Sequence, residues 1–354
     1  MKILKKTITL IISLVIITSI LMCCNVKMIN TISSIATRRQ VKVGVVINND
    51  NVFLSLISKN LDDIQKENKD NVQFTFFNGK GNSALESELL NNILQNNYDL
   101  ILTDVQAPEI ISESIVKAKQ KNIPLIFINI TPTGNQINKF KEYSESLVIK
   151  IDSEQAADLQ GKMIADFWNV NKEIMDKNND NIMQYIMIKG RRDSFESIIR
   201  TNNSLSAINN AGIKTQELAS AFANWDEDLG KGVMESVFLK YAGNIEVIIA
   251  NNDAMAVGAI KALQKYGYNI GDPKKTIPIF GINQTPEAKD LIKKGFMAGS
   301  VPESPRAIAE ALYTVGMNLV SGINPIEGTN YKFDKSGVTI PIQSQEYISQ
   351  NEKQ

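Results

Sequence analysis

The chain of 354 residues is long enough for two domains, and its hydrophobic fraction of 43% is sufficient for buried cores. Lysine plus arginine and aspartate plus glutamate both number 38, so the formal net charge is zero and no basic surface for nucleic acid is indicated. The sequence has no histidine, and its only cysteines are Cys23 and Cys24, which excludes histidine-dependent catalysis and leaves the body without thiolate chemistry. Because no nucleophile–base pair is evident, we predict that the protein is not an enzyme.

The N-terminus carries a targeting pattern. Three lysines within the first six residues precede an uncharged apolar run, and residues 1–26 together read as a signal or membrane-anchor segment. The run ends at Cys23 and Cys24, which resembles a bacterial lipobox, although Met22 or Cys23 stands where a glycine, alanine or serine is usual. A lipidated cysteine, an uncleaved membrane helix and a cleaved signal peptide are the three alternatives. Each places the body outside the cytoplasm, in the periplasm if an outer membrane exists. We expect a membrane-anchored protein in which residues 27–40 form a linker.

The first half of the body alternates between strands and helices. Strands are predicted at 41–47, 72–77, 98–102 and 123–129, and helices at 53–69, 85–95 and 109–121. This rhythm is typical of βαβ units, in which helices cover both faces of a parallel sheet.

The rhythm restarts after Ile151. Helices are predicted at 154–170, 194–210, 226–241, 255–266, 285–294 and 304–321, and strands at 184–188, 246–250 and 277–281. The predicted fold class is therefore α/β, with two doubly wound parallel-sheet lobes joined by a hinge and a ligand cleft between them. We assign residues 41–150 with 304–335 to the N-terminal lobe, and residues 151–303 with 336–346 to the C-terminal lobe.

Residues 176–184, with the sequence DKNNDNIMQ, have the ligand spacing of a calcium loop. Oxygen-bearing side chains occupy loop positions 1, 3, 5 and 9, and position 7 is Ile182, which offers only its carbonyl. Position 12 is Met187, so the usual bidentate carboxylate would have to come from elsewhere in the chain. As a bare pattern, such a loop is also typical of a solvated turn.

Three segments carry a resemblance to a known family. They are IEVIIANNDAMA at 245–256, IPIFG at 277–281 and IPLIFIN at 123–129. Across residues 41–345 the chain resembles the glucose/galactose-binding proteins that serve sugar ABC transporters and chemotaxis, which have the type I periplasmic-binding-protein fold. The resemblance implies a structural Ca²⁺ whose missing carboxylate is Glu246. The implied ligands are Asp176, Asn178, Asp180, the Ile182 carbonyl, Gln184 and Glu246.

The resemblance also implies a monosaccharide site. Phe53 and Trp225 match the two aromatic residues that sandwich the sugar ring, and Asn129, Arg200 and Asn252 match polar partners of the hydroxyl groups. Apolar ring faces and a hydroxyl rim suit such a combination.

Several matching positions depart from the family pattern. Ser194 replaces a histidine, Glu196 and Asn283 replace aspartates, and Glu303 replaces an asparagine. The first-loop aspartate corresponds to Asp50 or Asn51, because one residue is deleted there. These changes predict a weaker fit to glucose or galactose, or a fit to another sugar such as a pentose. The implied partner is an ABC transporter permease, with a membrane sensor kinase as the alternative.

Overall fold

The computed structural model describes residues 39–345, so the predicted anchor and most of the predicted linker lie outside the described residues. The described residues from Val41 to 345 belong to one compact unit. No helix within residues 39–345 has the length and apolar content needed to cross a membrane.

The described residues form eleven strands and ten α-helices. The strands are β1 Val41–Ile47, β2 Val72–Asn78, β3 Leu100–Thr103, β4 Leu125–Ile128, β5 Ser146–Ile151, β6 Ile182–Lys189, β7 Lys214–Phe222, β8 Val247–Ala250, β9 Ile279–Asn283, β10 Gly299–Pro302 and β11 Thr339–Ile342. The helices are α1 Val52–Glu67, α2 Ser83–Gln95, α3 Pro108–Lys121, α4 Gly134–Lys141, α5 Ser153–Met175, α6 Phe195–Asn210, α7 Glu227–Tyr241, α8 Asp253–Gln264, α9 Pro286–Lys293 and α10 Pro305–Val320.

The strands form two parallel sheets. The first sheet has the order β11-β5-β4-β3-β1-β2, and the second has the order β10-β9-β8-β6-β7. The central strands β3, β4 and β8 are buried along their whole length, as expected where helices cover both faces of a parallel sheet. Two doubly wound α/β lobes confirm the predicted fold class.

The pairing of β11 corrects one predicted lobe boundary. Residues 336–346 were expected in the C-terminal lobe, but β11 pairs in parallel with β5, with Ile340 opposite Ile149. Buried apolar residues on β11 cover what would otherwise be the open edge of the first sheet. The end of the described chain therefore belongs with the N-terminal lobe.

The helix α10 also packs on the N-terminal lobe. Ser304 caps its first turn and Pro305 occupies the first helical position, a combination that favours a helix start. Arg306 pairs with Glu67 at the end of α1 at 2.8 Å. Gly316 lets α10 approach the sheet closely, because a Cβ there would lie 2.5 Å from the Leu100 side chain.

Within residues 39–345, two chain segments connect the lobes, namely 151–153 and 302–305, and segment 342–345 after β11 lies beside them. Asp152 caps α5 and also accepts a hydrogen bond from the Gln343 side chain at 3.0 Å. The Gln345 N–H donates to the Pro302 carbonyl at 3.1 Å. Segment 342–345 is therefore hydrogen-bonded to both connecting segments at the hinge.

Candidate functional site

A cavity lies between the lobes where the carboxyl ends of both sheets meet. Its volume is about 90 Å³. The residues that line it are Asn51, Phe53, Leu54, Gln106 and Asn129 from the first lobe, and Ser194, Glu196, Arg200, Trp225, Asn252 and Asn283 from the second. Nine of the eleven ligand-binding residues predicted from the sequence are thus brought together here, and the exceptions are Asp50 and Glu303.

The two aromatic residues come from different lobes. Phe53 is the second residue of α1 and is only 6% exposed, whereas Trp225 is half-buried in the loop after β7. Trp225 has a φ of 66°, in the left-handed region that is costly for a bulky residue. The Asn252 side chain donates to the Trp225 carbonyl at 3.1 Å and holds this conformation. Trp225 also lines the cavity, and backbone strain of this kind is common at binding sites.

Arg200 is the centre of a buried hydrogen-bond network. Its Nε donates to Glu196 Oε1 at 3.0 Å, its Nη1 donates to the Asn251 carbonyl at 2.9 Å, and its Nη2 donates to Glu303 Oε1 at 3.0 Å. The guanidinium lies 5.7 Å from the Trp225 ring centroid. Arg200 is therefore positioned by two carboxylates and a carbonyl before any ligand arrives.

Glu303 lies behind the cavity and does not line it. Its side chain is buried, where it accepts hydrogen bonds from Arg200 and from the Asn283 amide. Burial raises the pKa of Glu303, and the Arg200 charge opposes that rise. The position predicted to touch ligand instead orients two residues that do line the cavity.

Lys150 is a residue of this region that the sequence reasoning missed. It lies on β5, where its Nζ donates to Thr131 Oγ1 at 2.6 Å and approaches Glu196 Oε2 at 3.5 Å. Burial alone would raise the pKa of Glu196, but Lys150 and Arg200 hold that pKa below its ordinary value. Because Lys150 is on the first lobe and Glu196 on the second, the ion pair joins the lobes. A lysine within the apolar run SLVIKI was the available signal.

Asp50 and Asn51 are adjacent in the first-lobe loop, but only Asn51 lines the cavity. Asp50 is exposed, and its carboxylate accepts from the Asn78 amide at 3.0 Å, away from the cavity. Asn51 lines the cavity while its Oδ1 accepts from the Leu54 N–H at 3.1 Å and caps α1. Asn51 therefore occupies the cavity position that the sequence left open between the two. Leu54 and Gln106 also line the cavity and were not predicted.

The remaining polar residues are held by the backbone around them. Asn129 has a φ of 53°, and its Oδ1 accepts from the Ile151 N–H at 3.3 Å. Ser194 is the N-cap of α6. The Asn252 Oδ1 accepts from the Met255 N–H at 3.0 Å as the N-cap of α8. Cap and turn positions thus fix the rim of the cavity on rigid elements.

The predicted calcium loop joins α5 to β6. Asp176, Gln184 and Glu246 are buried, and Glu246 accepts from the Lys177 N–H at 2.7 Å and from the Gln184 N–H at 2.9 Å. Burial raises the pKa of Glu246 despite these hydrogen bonds, and the charges of Asp176 and Asp180 raise it further. Carboxylates that repel one another in this way suit a cation.

Two side-chain amides of this loop direct their nitrogens toward Asp180. Asn178 Nδ2 and Gln184 Nε2 both donate to Asp180 Oδ2, each at 2.9 Å. Across residues 39–345, no three acidic, histidine or cysteine side chains are arranged so that they would hold a metal ion by themselves. A bound Ca²⁺ would therefore also need the Ile182 carbonyl and rotated amides as oxygen ligands.

Comparison with known proteins places this site in a family context. The family model described as "Periplasmic binding protein domain" matches residues 43–324. The D-galactose/methyl-galactoside binding periplasmic protein of Haemophilus influenzae is 29% identical over 304 residues, which cover 85% of this chain and 88% of that protein.

Two solved structures illustrate the similarity of fold. A solute-binding protein of an ABC transporter from Bacillus halodurans with bound myo-inositol has a TM-score of 0.68 at 20% identity, covering 87% of this chain and 94% of that one. A periplasmic solute-binding protein from Actinobacillus succinogenes with bound D-allose has a TM-score of 0.69 at 16% identity, covering 86% of this chain and 96% of that one. Together with the family match, these findings confirm the resemblance drawn from the sequence: the chain belongs to the periplasmic binding protein family, whose members bind solutes and are not enzymes.

Proposed function

We propose that the protein binds a neutral sugar in the cleft between its lobes and delivers it to the permease of an ABC transporter. The observation that carries the proposal is that Phe53 and Trp225, from opposite lobes, line one cavity with hydrogen-bonding side chains between them. Sugars present apolar ring faces and a rim of hydroxyls, and this arrangement offers a partner to each.

The charges around the cavity favour a neutral ligand. Glu196 and Glu303 are buried with Arg200 and Lys150, and hydrogen bonds and ion pairs join the four side chains. Two carboxylates and two cations cancel, so an anionic ligand would find no uncompensated positive charge among these side chains. The names and bound ligands of the relatives support a sugar or polyol as the solute class.

The transporter role is supported by the same relatives. Members of the family act outside the cytoplasm, and the proteins from Bacillus halodurans and Actinobacillus succinogenes are components of ABC transporters. Neither of these two proteins is described as a sensor subunit, so the transporter permease is the partner that we propose. The targeting pattern of residues 1–26 adds the proposal that the protein is tethered to the membrane, by a lipid or by an uncleaved helix.

We also propose a structural Ca²⁺ at the loop 176–184. The support is the buried Glu246 facing Asp176 and Asp180, whose charges raise its pKa. Binding of the ion to the folded state alone would stabilise it by about 2.7 kcal/mol at a hundredfold excess over Kd.

The test of the proposed function is titration calorimetry on the full-length protein with a panel of hexoses, pentoses and polyols, with calcium present. We expect saturable binding of at least one sugar, and the Trp225→Ala variant should weaken it by more than tenfold. If every sugar of the panel fails to bind up to millimolar concentration, the proposal is wrong.

A further inference from the structure

A second cavity adjoins the first and is larger. Its volume is about 350 Å³, and it also lies between the lobes. The two cavities share four wall residues, which are Gln106, Asn129, Ser194 and Glu196. Ligand pockets of proteins span roughly 300–1,000 Å³, so the second cavity is large enough to be a subsite and not only a crevice.

Ser194 stands at the junction of the two cavities. Its hydroxyl accepts from the Ser197 N–H at 3.4 Å as the N-cap of α6, so the side chain is engaged with its own helix. A serine is small, and the sequence resemblance aligns a histidine at this position. A larger side chain at this shared wall position would take up space between the two cavities.

The walls of the second cavity have the chemistry of a sugar subsite. Phe195 lines it with 48% of its surface exposed, so that the ring is available for contact with a ligand. Thr131, Thr133 and Gln136, which carry hydroxyl and amide groups, line the same space. An exposed aromatic ring beside hydrogen-bonding groups repeats the combination found in the first cavity.

The charges of the second cavity disfavour an anionic ligand. Among the described residues that line it, Arg191 is the one cation, and it is paired with Asp193 at 2.8 Å. Glu109 and Glu196 add two further carboxylates to the walls. A second neutral ring fits these walls better than a phosphate or a carboxylate.

We infer that the ligand is a disaccharide, with one ring between Phe53 and Trp225 and the second ring against Phe195. This inference rests on the proposed function, because it specifies the size of the sugar that the cleft takes. The glycosidic bond that joins the two rings would lie beside Ser194, which lines both cavities.

The experiment compares monosaccharides with disaccharides by calorimetry on the full-length protein. The probes are galactose and glucose, together with lactose, melibiose and cellobiose. We expect at least one disaccharide to bind tenfold more tightly than either monosaccharide. Ser194→Phe should lower the ratio of disaccharide to monosaccharide affinity by at least tenfold, whereas Ser194→Ala should preserve that ratio.

A second pair of variants covers the case in which Ser194→Phe does not fold. Phe195→Ala should also lower the ratio, and Phe222→Ala is the matched control, because Phe222 is a similarly exposed aromatic residue that does not line the cavity. Monosaccharide binding without disaccharide binding would overturn this inference and leave the proposed function standing. Unchanged ratios in both Ser194→Phe and Phe195→Ala would also overturn it. Absence of binding by every probe, and by the wider sugar panel, would overturn both.

Discussion

The indole ring of Trp225 lies directly against Gly190. A Cβ atom built at Gly190 would be 2.3 Å from Cζ2 of that ring, far inside van der Waals contact. Gly190 follows β6 and Trp225 follows β7, so the contact joins two neighbouring loops of the second lobe. The cleft face of Trp225 is therefore positioned by a residue without a side chain.

Replacing Gly190 by alanine should displace the ring and weaken sugar binding by at least tenfold. The control is Gly232→Ala, because Gly232 lies in α7 with open space around it, and alanine there should stabilise the helix by about 0.5–1 kcal/mol. Calorimetry gives the affinities and thermal unfolding gives the stability. Equal affinities of the two variants would contradict the positioning role of Gly190.

Tryptophan fluorescence should report ligand binding through one residue only. Trp225 lines the cavity, whereas Trp168 is 2% exposed within α5. We expect the sugar-induced change in emission to persist in Trp168→Phe and to vanish in Trp225→Phe. A ligand response carried by Trp168 would instead indicate that the core of the second lobe rearranges on binding.

The ion pair between Lys150 and Glu196 should contribute measurably to stability, because both side chains are about nine-tenths buried. Lys150→Met should destabilise the protein by about 3 kcal/mol, since it leaves Glu196 with one cation fewer. Lys66→Met is the matched control, because Lys66 is 66% exposed and solvent screens its ion pairs, which should contribute much less to stability. Urea unfolding gives the stability of both variants. Similar losses of stability in the two would contradict the predicted role of the Lys150–Glu196 ion pair.

The buried carboxyl of Asp253 should make the stability of the protein depend on pH. Burial raises its pKa to about 7, although hydrogen bonds from Ser300 and Thr285 oppose the rise. Between about pH 4 and pH 7 the folded state therefore binds more protons at this group than the unfolded state, so this group's contribution to stability falls as pH rises. Asp253→Asn should remove that slope, which amounts to at most about 4 kcal/mol across the interval. From pH 5 to pH 8 the unfolding free energy should fall less, or rise more, in the variant than in the wild type, and an unchanged pH dependence would contradict the assignment.

Calcium removal should lower the melting temperature of the wild-type protein. Glu246→Gln should abolish that response, because it removes the buried carboxylate that faces Asp176 and Asp180. Glu88→Gln is the control, since Glu88 is an exposed glutamate in the other lobe and should leave the response intact. A wild-type melting curve that does not change with chelator would refute the calcium proposal.

Hydrophobic patterning predicted the central strands and the long helices, because their apolar residues recur with a clear period. The strand β7 was missed, since it is an edge strand with a largely polar sequence and an irregular register beside Tyr185. The strands β5 and β11 were also missed. The strand β5 carries Lys150 within its apolar run, and β11 is only four residues long and contains Pro341. Edge position, a functional charge and a proline each weaken the signal on which pattern reading depends.

Part of the candidate site could be predicted, namely the residues whose type and position match the family pattern. Matching positions led to nine cavity residues, but the pattern did not separate Asp50 from Asn51, because adjacent loop residues face opposite ways. Lys150 and Gln106 were missed, since only the three-dimensional packing of the two lobes brings them to the site. Long-range geometry of this kind has no local signature in sequence.

The discontinuous first lobe has a consequence for the order in which the protein folds. Residues 153–302 carry every strand of the second sheet, whereas the first sheet lacks β11 until residue 342 is present. Pairing of β11 with β5 closes a loop of nearly two hundred residues, and such distant contacts form slowly. The second lobe can be completed from a continuous stretch of chain, so we expect the attachment of β11 to the first sheet to be the last step of assembly.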